Sequence, residues 1–236
     1  MTEVSAGRSD DTLVTCFFKG SPCRGEMVED LPRPAHRAYS PVPLRNFPAV
    51  SVALRLSGRR IVLHGGSSFV LGRQRDCDIV SPQAEKGDDP ARRRSLKVSR
   101  RHCVIFRADS GWSVRDGEGA RRSSFGTWWN GEAVSSSLSL GPVSGILSLG
   151  GPSAVDSVAF DVRVAGVSLL LSLRPDAVEN HLLLGGETLL DVADARLSGF
   201  CTFFADGVFH WRRGRDQGVF VPGTHVPGAA DDFWVE

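Results

Sequence analysis

From residue 49 onward, short apolar segments alternate with polar turn residues. "SVALRL" and "IVLH" flank a glycine turn at Gly58, and "SSFVLGR", "HCVIF", "WSVRD" and "VAFDVRV" follow at short spacing. Short runs rich in Val, Ile and Phe, bounded by Gly and Ser, are typical of β-strands. No long helical period interrupts them. The pattern predicts an all-β fold, either a sandwich or a barrel.

The chain divides into three parts by composition and hydrophobic pattern. Residues 1–48 contain five prolines between positions 32 and 48 and little to bury, which predicts a disordered Pro-rich tail. Residues 49–165 carry the main β-pattern. Residues 166–236 form a C-terminal extension, mostly β, whose fold the sequence leaves uncertain. Within it, "ETLLDVADARL" is compatible with a short helix or an irregular edge, and "GFCTFFADGVFHWRRG" predicts two strands around a turn at Asp206-Gly207.

One connection is unusually long and polar. Residues 81–96 contain Glu85, Asp88 and Asp89, followed by three consecutive arginines at 92–94. A solvated loop is one interpretation of this segment. An accessory recognition loop is the other, because the segment directly precedes a Ser-Arg-Arg cluster.

Composition narrows the class of protein. A net charge of +1 over 236 residues argues against a nucleic-acid or membrane partner that recognises the protein by its overall charge. The five scattered cysteines fit reduced thiols in a cytosol better than disulfides or a zinc site. The N-terminus lacks a signal-peptide pattern and no run approaches the length of a membrane helix, so we expect a soluble cytoplasmic protein.

Enzymatic motifs are missing from the sequence. It contains no GxSxG, P-loop or HExxH, and its six histidines show no ligand spacing. We therefore expect no enzyme, no cofactor, no metal site and no small-molecule substrate.

Three motifs do carry chemistry: "LGR" at 71–73, "SRRH" at 99–102 and "SSFGTWWNG" at 123–131. Arginine presents a planar fork of donors that suits phosphate or carboxylate. The motifs adjoin predicted strands, which favours an anion site built from loops at one end of a β-fold. Gly72 and Gly126 suit tight turns, and Asn130-Gly131 is typical of a hairpin turn.

In this order and setting the motifs resemble those of the forkhead-associated (FHA) domain, over about residues 49–165. The resemblance implies a β-sandwich whose loops bind phosphothreonine in a partner protein. It implies that Arg73, Ser99, Arg100 and Ser124 contact the phosphopeptide and that His102 orients its loop. The positions with a structural role in the motif would be Gly72, His102, Gly126, Thr127, Asn130 and Gly131.

Phe125 departs from the family pattern, which has asparagine at this position. The family's asparagine side chain hydrogen-bonds the peptide backbone, whereas phenylalanine offers only an apolar contact. Two hypotheses therefore stay open. The first is a phosphothreonine-dependent binding module in intracellular Ser/Thr kinase signalling, with Phe125 at the peptide site. The alternative is a degenerate FHA scaffold that binds a partner without phosphate, for example in a secretion assembly.

The tail supplies a possible internal ligand. "SDDTLV" places Thr12 after two acidic residues and before two apolar ones, which is a plausible kinase target. An ordinary acidic tail is the simpler interpretation. The expected partner is thus a phosphothreonine-containing protein, or the chain's own phosphorylated tail.

Overall fold

A computed structural model describes residues 50–56, 58–82, 90–142, 144–175, 179–226 and 233–236. The predicted tail of residues 1–48, with Thr12, lies outside the described residues. So do Glu85, Asp88 and Asp89.

The described residues fold mainly into β-strands, as the sequence pattern predicts. In chain order the strands are β1 (Val50–Leu56), β2 (Arg59–Gly65), β3 (Ser68–Gly72), β4 (Ile79–Val80), β5 (Cys103–Ala108), β6 (Gly111–Asp116), β7 (Thr127–Trp129), β8 (Glu132–Ala133), β9 (Ser137–Ser139), β10 (Gly145–Leu149), β11 (Val158–Ala165), β12 (Ser168–Leu173), β13 (Glu179–Leu184), β14 (Thr188–Leu189), β15 (Phe200–Ala205), β16 (Val208–Arg213), β17 (Asp216–Val219) and β18 (Phe233–Val235).

The strands form three sheets. A five-stranded sheet has the order β4-β3-β5-β6-β9, and a nine-stranded sheet has the order β18-β1-β2-β13-β12-β11-β10-β7-β8. A four-stranded sheet has the order β14-β15-β16-β17. The predicted hairpins are present: β1 pairs with β2, and β15 pairs with β16 around Asp206 and Gly207, both at positive φ. The fold is all-β and of the sandwich type.

One helix, α1 (Pro90–Lys97), occupies the end of the polar connection. The expectation of a loop throughout residues 81–96 is wrong for this part. Proline at the first helical position and the helix-favouring arginines that follow explain why a helix forms here. "ETLLDVADARL" forms neither one helix nor a plain edge, because β14 is followed by two 3₁₀ turns, Leu190–Val192 and Ala195–Leu197.

The first core lies between the five-stranded and nine-stranded sheets. Phe69 and Ile105 of the five-stranded sheet are fully buried there, together with Phe160 and Leu147 of the nine-stranded sheet. Of the two folds that the alternating pattern predicts, a sandwich or a barrel, this is the sandwich, with one apolar face from each sheet.

A second core covers the other face of the nine-stranded sheet. Its members come from β1, β2, β12 and β13, and from the four-stranded sheet with its flanking segments; they include Leu63, Leu182, Phe200 and Trp211. Along β13, Leu183 faces the first core while Leu182 and Leu184 face the second. Strands buried on both faces are continuously apolar, which explains "SLLLSL" and "HLLL".

The segment after residue 165 therefore contributes strands to the nine-stranded sheet. β11 and β12 pair from Phe160–Leu173 to Ala165–Ser168, on either side of the predicted domain boundary. β13 lies between β12 and β2 and runs parallel to β2. Residues 166–236 thus supply two inner strands, one edge strand and a covering sheet.

Two buried histidines meet between β2 and β13. His64 Nε2 lies 3.1 Å from His181 Nδ1, and Glu179 Oε1 lies 3.4 Å from His181 Nε2. Burial lowers the pKa of both imidazoles, and the nearby Arg60 lowers them further. The pair is therefore neutral and acts as a polar link within an apolar layer.

Gly65 allows the C-terminal sheet to approach the nine-stranded sheet. A Cβ at this position would lie 2.3 Å from Phe204 Cγ. We expect Gly65→Ala to lower the free energy of unfolding by about 1–3 kcal/mol, because the root of the Phe204 ring has little freedom to move away. Chemical denaturation measures the change.

Gly141→Ala is the matched control, because a Cβ there meets nothing within 4 Å. Combining Gly65→Ala with Phe204→Ala should relieve the clash. Equal stabilities of Gly65→Ala and Gly141→Ala would contradict this account of the packing.

Candidate functional site

Two of the three sequence motifs meet at one end of the sandwich. β3 and β5 are antiparallel, with Leu71 opposite Cys103, so the loop after β3 and the loop before β5 lie side by side. We call residues 73–78 the Arg73 loop and residues 98–102 the Ser99 loop. The Arg73 amide donates to Ser99 O at 3.2 Å, and the Gln74 amide donates to Arg100 O at 3.0 Å.

Gly72 is required by this close approach. A Cβ on Gly72 would lie 2.1 Å from Arg100 O. The constraint is steric contact between backbones, since Gly72 is not among the glycines with positive φ. Any side chain at position 72 would separate the two loops.

The third motif joins the same end through Ser99. We call residues 123–126 the Ser124 loop. The Ser124 amide donates to Ser99 Oγ at 3.0 Å. The Ser99 hydroxyl accepts this bond, so its own proton is left to donate elsewhere. Arg73 and Ser124 are therefore both neighbours of Ser99, Arg73 through a backbone hydrogen bond and Ser124 through the Ser99 hydroxyl.

His102 connects the Ser99 loop to the Ser124 loop. Its side chain is fully buried. Nδ1 accepts from the Ser99 amide at 2.9 Å, and Nε2 donates to Gly126 O at 3.0 Å. Burial lowers the pKa of His102, which keeps the ring neutral with its proton on Nε2. The arrangement is that of a positioning residue.

Asp116, at the end of β6, fixes the position of the Ser124 loop by hydrogen bonds. Its Oδ1 accepts from Ser123 Oγ at 2.6 Å and from Thr127 Oγ1 at 2.7 Å. Ser123 Oγ in turn accepts from the Gly126 amide at 2.9 Å. Sequence reasoning did not single out Asp116. An acid that ends the strand "WSVRD" shortly before a Ser-Ser pair was a usable signal.

Phe125 lies at the exposed tip of this fixed loop. Its side chain is 55% exposed, and its carbonyl accepts from Trp128 Nε1 at 3.2 Å. Gly126 follows at φ +78°, a conformation that favours glycine. A large apolar ring is thus held in solvent beside Ser124.

Asn130 and Gly131 form the turn between β7 and β8. Both have positive φ, 51° and 84°, as a type I′ hairpin turn requires. Asn130 Oδ1 also accepts from the Ile146 amide at 2.8 Å, which ties the turn to β10. Trp129 packs against the first core, whereas Trp128 turns toward the Ser124 loop.

The arginines of the site differ in their surroundings. Arg73 and Arg100 are exposed. Arg101 instead forms a two-pronged ion pair with Glu118 and a second pair with Asp76 at 3.1 Å. The Glu118 carboxylate raises the pKa of Arg101, and Arg101 lowers that of Glu118. Two carboxylates thus offset the charge of Arg101.

No cluster of three or more metal-ligating side chains occurs among the residues that the structure describes. The same residues contain no helix that is long and apolar enough to span a membrane. A cavity of about 570 Å³ lies away from these loops, on the outer face of β10–β13 beside the Leu190–Val192 turn. The candidate site is therefore a surface formed by three hydrogen-bonded loops.

The fold is a β-sandwich with three hydrogen-bonded loops at one end. Residues 69–144 match the family model of the FHA domain, and this span includes all three loops. This match to the FHA family over residues 69–144 agrees with the resemblance that the motifs carry.

One solved structure with a detectable likeness is that of Mycobacterium tuberculosis Rv1747 FHA-1. It is 19% identical to this chain, covers 49% of this chain and 95% of its own, and has a TM-score of 0.31. No match was found among curated proteins.

Proposed function

We propose that this protein is a phosphothreonine-dependent binding module. FHA domains are protein-interaction modules that bind phosphopeptides, and the three loops retain the donors that such binding needs. The observation that carries the proposal is that Ser99 joins the three loops: its carbonyl accepts from the Arg73 amide, and its Oγ accepts from the Ser124 amide. The hydroxyl proton of Ser99 is then left to donate beside the Arg73 loop.

A phosphothreonine brings nearly two negative charges and three acceptor oxygens. The Arg73 guanidinium would grip two of these oxygens, and the Ser99 hydroxyl would donate to a third. Arg100 adds a second exposed guanidinium from the neighbouring loop. His102 and Asp116 would take no part in binding, but they hold the loops at the required spacing.

The proposed role is protein recognition in kinase signalling, without catalysis. Cys77, Cys103 and Cys201 are free, which agrees with a reducing cytoplasm. Burial raises the pKa of each of these thiols, so none is activated as a nucleophile.

Arg73→Ala tests the phosphate site. We expect a loss of about 2–5 kcal/mol in phosphopeptide binding, because truncation leaves the phosphate charge without its main partner. Isothermal titration with peptides selected from an oriented phosphothreonine library measures the loss. Arg75→Ala is the matched control, since it removes the same charge from the same exposed loop and should cost less than about 1 kcal/mol. Equal losses would indicate diffuse attraction without a defined pocket.

A second candidate function has support from Phe125. An exposed phenylalanine where the family has asparagine removes one bond to the peptide backbone and adds an apolar contact. A scaffold that binds an unphosphorylated partner, for example in a secretion assembly, would use such a surface.

Phe125→Asn separates the two functions. If phosphopeptide binding is the function, the regained hydrogen bond should tighten affinity up to about tenfold. Titration of the same phosphopeptide and of its unphosphorylated form measures both outcomes. Binding of wild type that ignores phosphorylation, with loss of affinity in Phe125→Asn, would support the scaffold instead.

The tail offers a ligand within the same chain. Thr12 precedes residue 49 by 49 − 12 = 37 residues. As a coil, a chain of this length spans about 30–35 Å, which can reach across a small sandwich. Tethering would give phosphorylated Thr12 an effective concentration near the millimolar range. We propose that it occupies the site and competes with external partners.

Phosphorylation of Thr12 should therefore weaken the apparent affinity for an external phosphopeptide. Titration before and after kinase treatment measures this, with Thr12→Ala as the control. Unchanged affinity after stoichiometric phosphorylation would rule out the internal ligand.

A further inference from the structure

The cavity on the outer face of β10–β13 lies away from the candidate site and has a volume of about 570 Å³. This volume falls within the range of about 300–1,000 Å³ that is typical of small-molecule pockets. The cavity lies beside the Leu190–Val192 turn, and Leu170, which lines it, belongs to the second core. It is therefore formed jointly by the nine-stranded sheet and the C-terminal residues that cover it.

Three polar side chains form a row across the floor of the cavity. Asp161 of β11 pairs with Ser172 of β12, and Ser172 pairs with Asn180 of β13. All three residues line the cavity. Neighbouring strands lie about 4.7–4.9 Å apart, so the row is roughly 10 Å long. The floor thus offers a carboxylate, a hydroxyl and an amide in one line.

Asn180 is the member of this row whose hydrogen bonds the protein leaves incomplete. The residue is 3% exposed, and its Oδ1 has no hydrogen-bond partner among the described residues. Buried polar atoms almost always have a partner, because leaving one without a partner is costly. The two ends of the amide exchange places by a half-turn of χ2, so that either end can face the cavity. A ligand with hydroxyl groups would complete the hydrogen bonds of this amide.

Two exposed arginines line the cavity beside the row. Arg59 Nη1 lies 3.7 Å from Asp194 Oδ2, and Arg163 Nη2 donates to Val192 O. These contacts engage one nitrogen of each guanidinium group, which carries five N–H donors in all. The rim of the cavity therefore keeps donors for a ligand beside the acceptors of the floor.

The charges of the cavity favour a neutral ligand. Asp161 Oδ2 lies 3.2 Å from Arg174 Nε, so this carboxylate already has a counter-ion. Arg59 has its counter-ion in Asp194. Neither group needs an ionic partner from a ligand, although each can still take part in hydrogen bonds.

We propose that this cavity binds a neutral saccharide. A hydroxyl group both donates and accepts, so the hydroxyls of a sugar match the acceptors of the floor and the donors of the rim. Ile146 and Leu170 add apolar surface on which the C–H face of a sugar ring can pack. The inference is independent of the phosphothreonine site, and the saccharide is bound without being converted.

Binding is tested with the full chain and with neutral mono- and disaccharides of glucose, galactose and mannose, each added as a separate probe. Protein NMR follows the resonances of Ser172 and Asn180 while the probe is raised through the millimolar range. At least one probe should shift both resonances in a saturable way and leave those of Ser99 and Ser124 unchanged. Because the ligand is neutral, added salt should not weaken its affinity.

Two variants place the binding in the cavity. Ser172→Leu should abolish binding, because the larger side chain fills the centre of the row. Its matched control is Ser139→Leu, an exposed serine on the edge strand β9 of the five-stranded sheet, which should bind as wild type does. Asp161→Asn keeps the shape of the side chain and removes one acceptor, so it should weaken binding about two- to tenfold. Circular dichroism checks the fold of each variant, and Asp161→Asn decides the test if Ser172→Leu does not fold.

The remaining outcomes would each overturn the inference. The first is the absence of a saturable shift with every neutral probe. The second is wild-type affinity in the folded variants of Ser172 and Asp161, since binding would then lie elsewhere. Glucosamine and glucuronate are the charged probes, and binding of these alone, weakened by salt, would mean that the cavity takes an ionic ligand. None of these results depends on whether phosphothreonine peptides bind.

Discussion

The nine-stranded sheet packs against a hydrophobic core on each of its two faces, and the rest of the structure depends on this constraint. In β12, Leu169 and Leu171 face the first core, and Leu170 between them faces the second. A strand with one polar face could not occupy this position, because both faces are removed from water. Gly65 shows the same constraint in the opposite sense, since only a missing side chain lets Phe204 pack against β2. The C-terminal residues therefore complete the sheet that supports the sandwich.

Because the larger sheet of the sandwich packs on both faces, the sandwich gives the loops at its end a stable support. β3 and β5 set the spacing of the Arg73 and Ser99 loops, and Asp116 and His102 then set the position of the Ser124 loop. Both side chains act through hydrogen bonds, Asp116 as an acceptor and His102 as an acceptor and a donor. The neutral His102 ring accepts at Nδ1 and donates at Nε2, so protonation would break the bond from the Ser99 amide. The lowered pKa of His102 thus keeps the ring in the neutral form that the geometry of the loops requires.

Local pattern was sufficient for much of the fold and for the three motifs whose loops meet at one end of the sandwich. Period-two alternation predicted the strands of residues 50–165, and Asp206-Gly207 predicted the turn between β15 and β16. The pairing of β13 with β2 could not be predicted, because it joins strands that are more than 100 residues apart and leaves no local signal. The helix α1 was missed because eight residues give too short a period to recognise. Asp116 and the ion pairs of Arg101 depend on which loops meet in space, which spacing along the chain does not encode.

The distribution of charge carries information that the net value hides. A total near zero argued against a partner recognised by overall charge, and that argument applies to the whole surface. Asp76 and Glu118 lie beside Arg101 and offset the charge of this arginine, which links the loops. Arg101 thereby connects Asp76 of the Arg73 loop to Glu118, which follows β6, whereas Arg73 and Arg100 lie exposed on the same pair of loops. The arginine that holds the loops together is thus distinct from the two that lie at their surface.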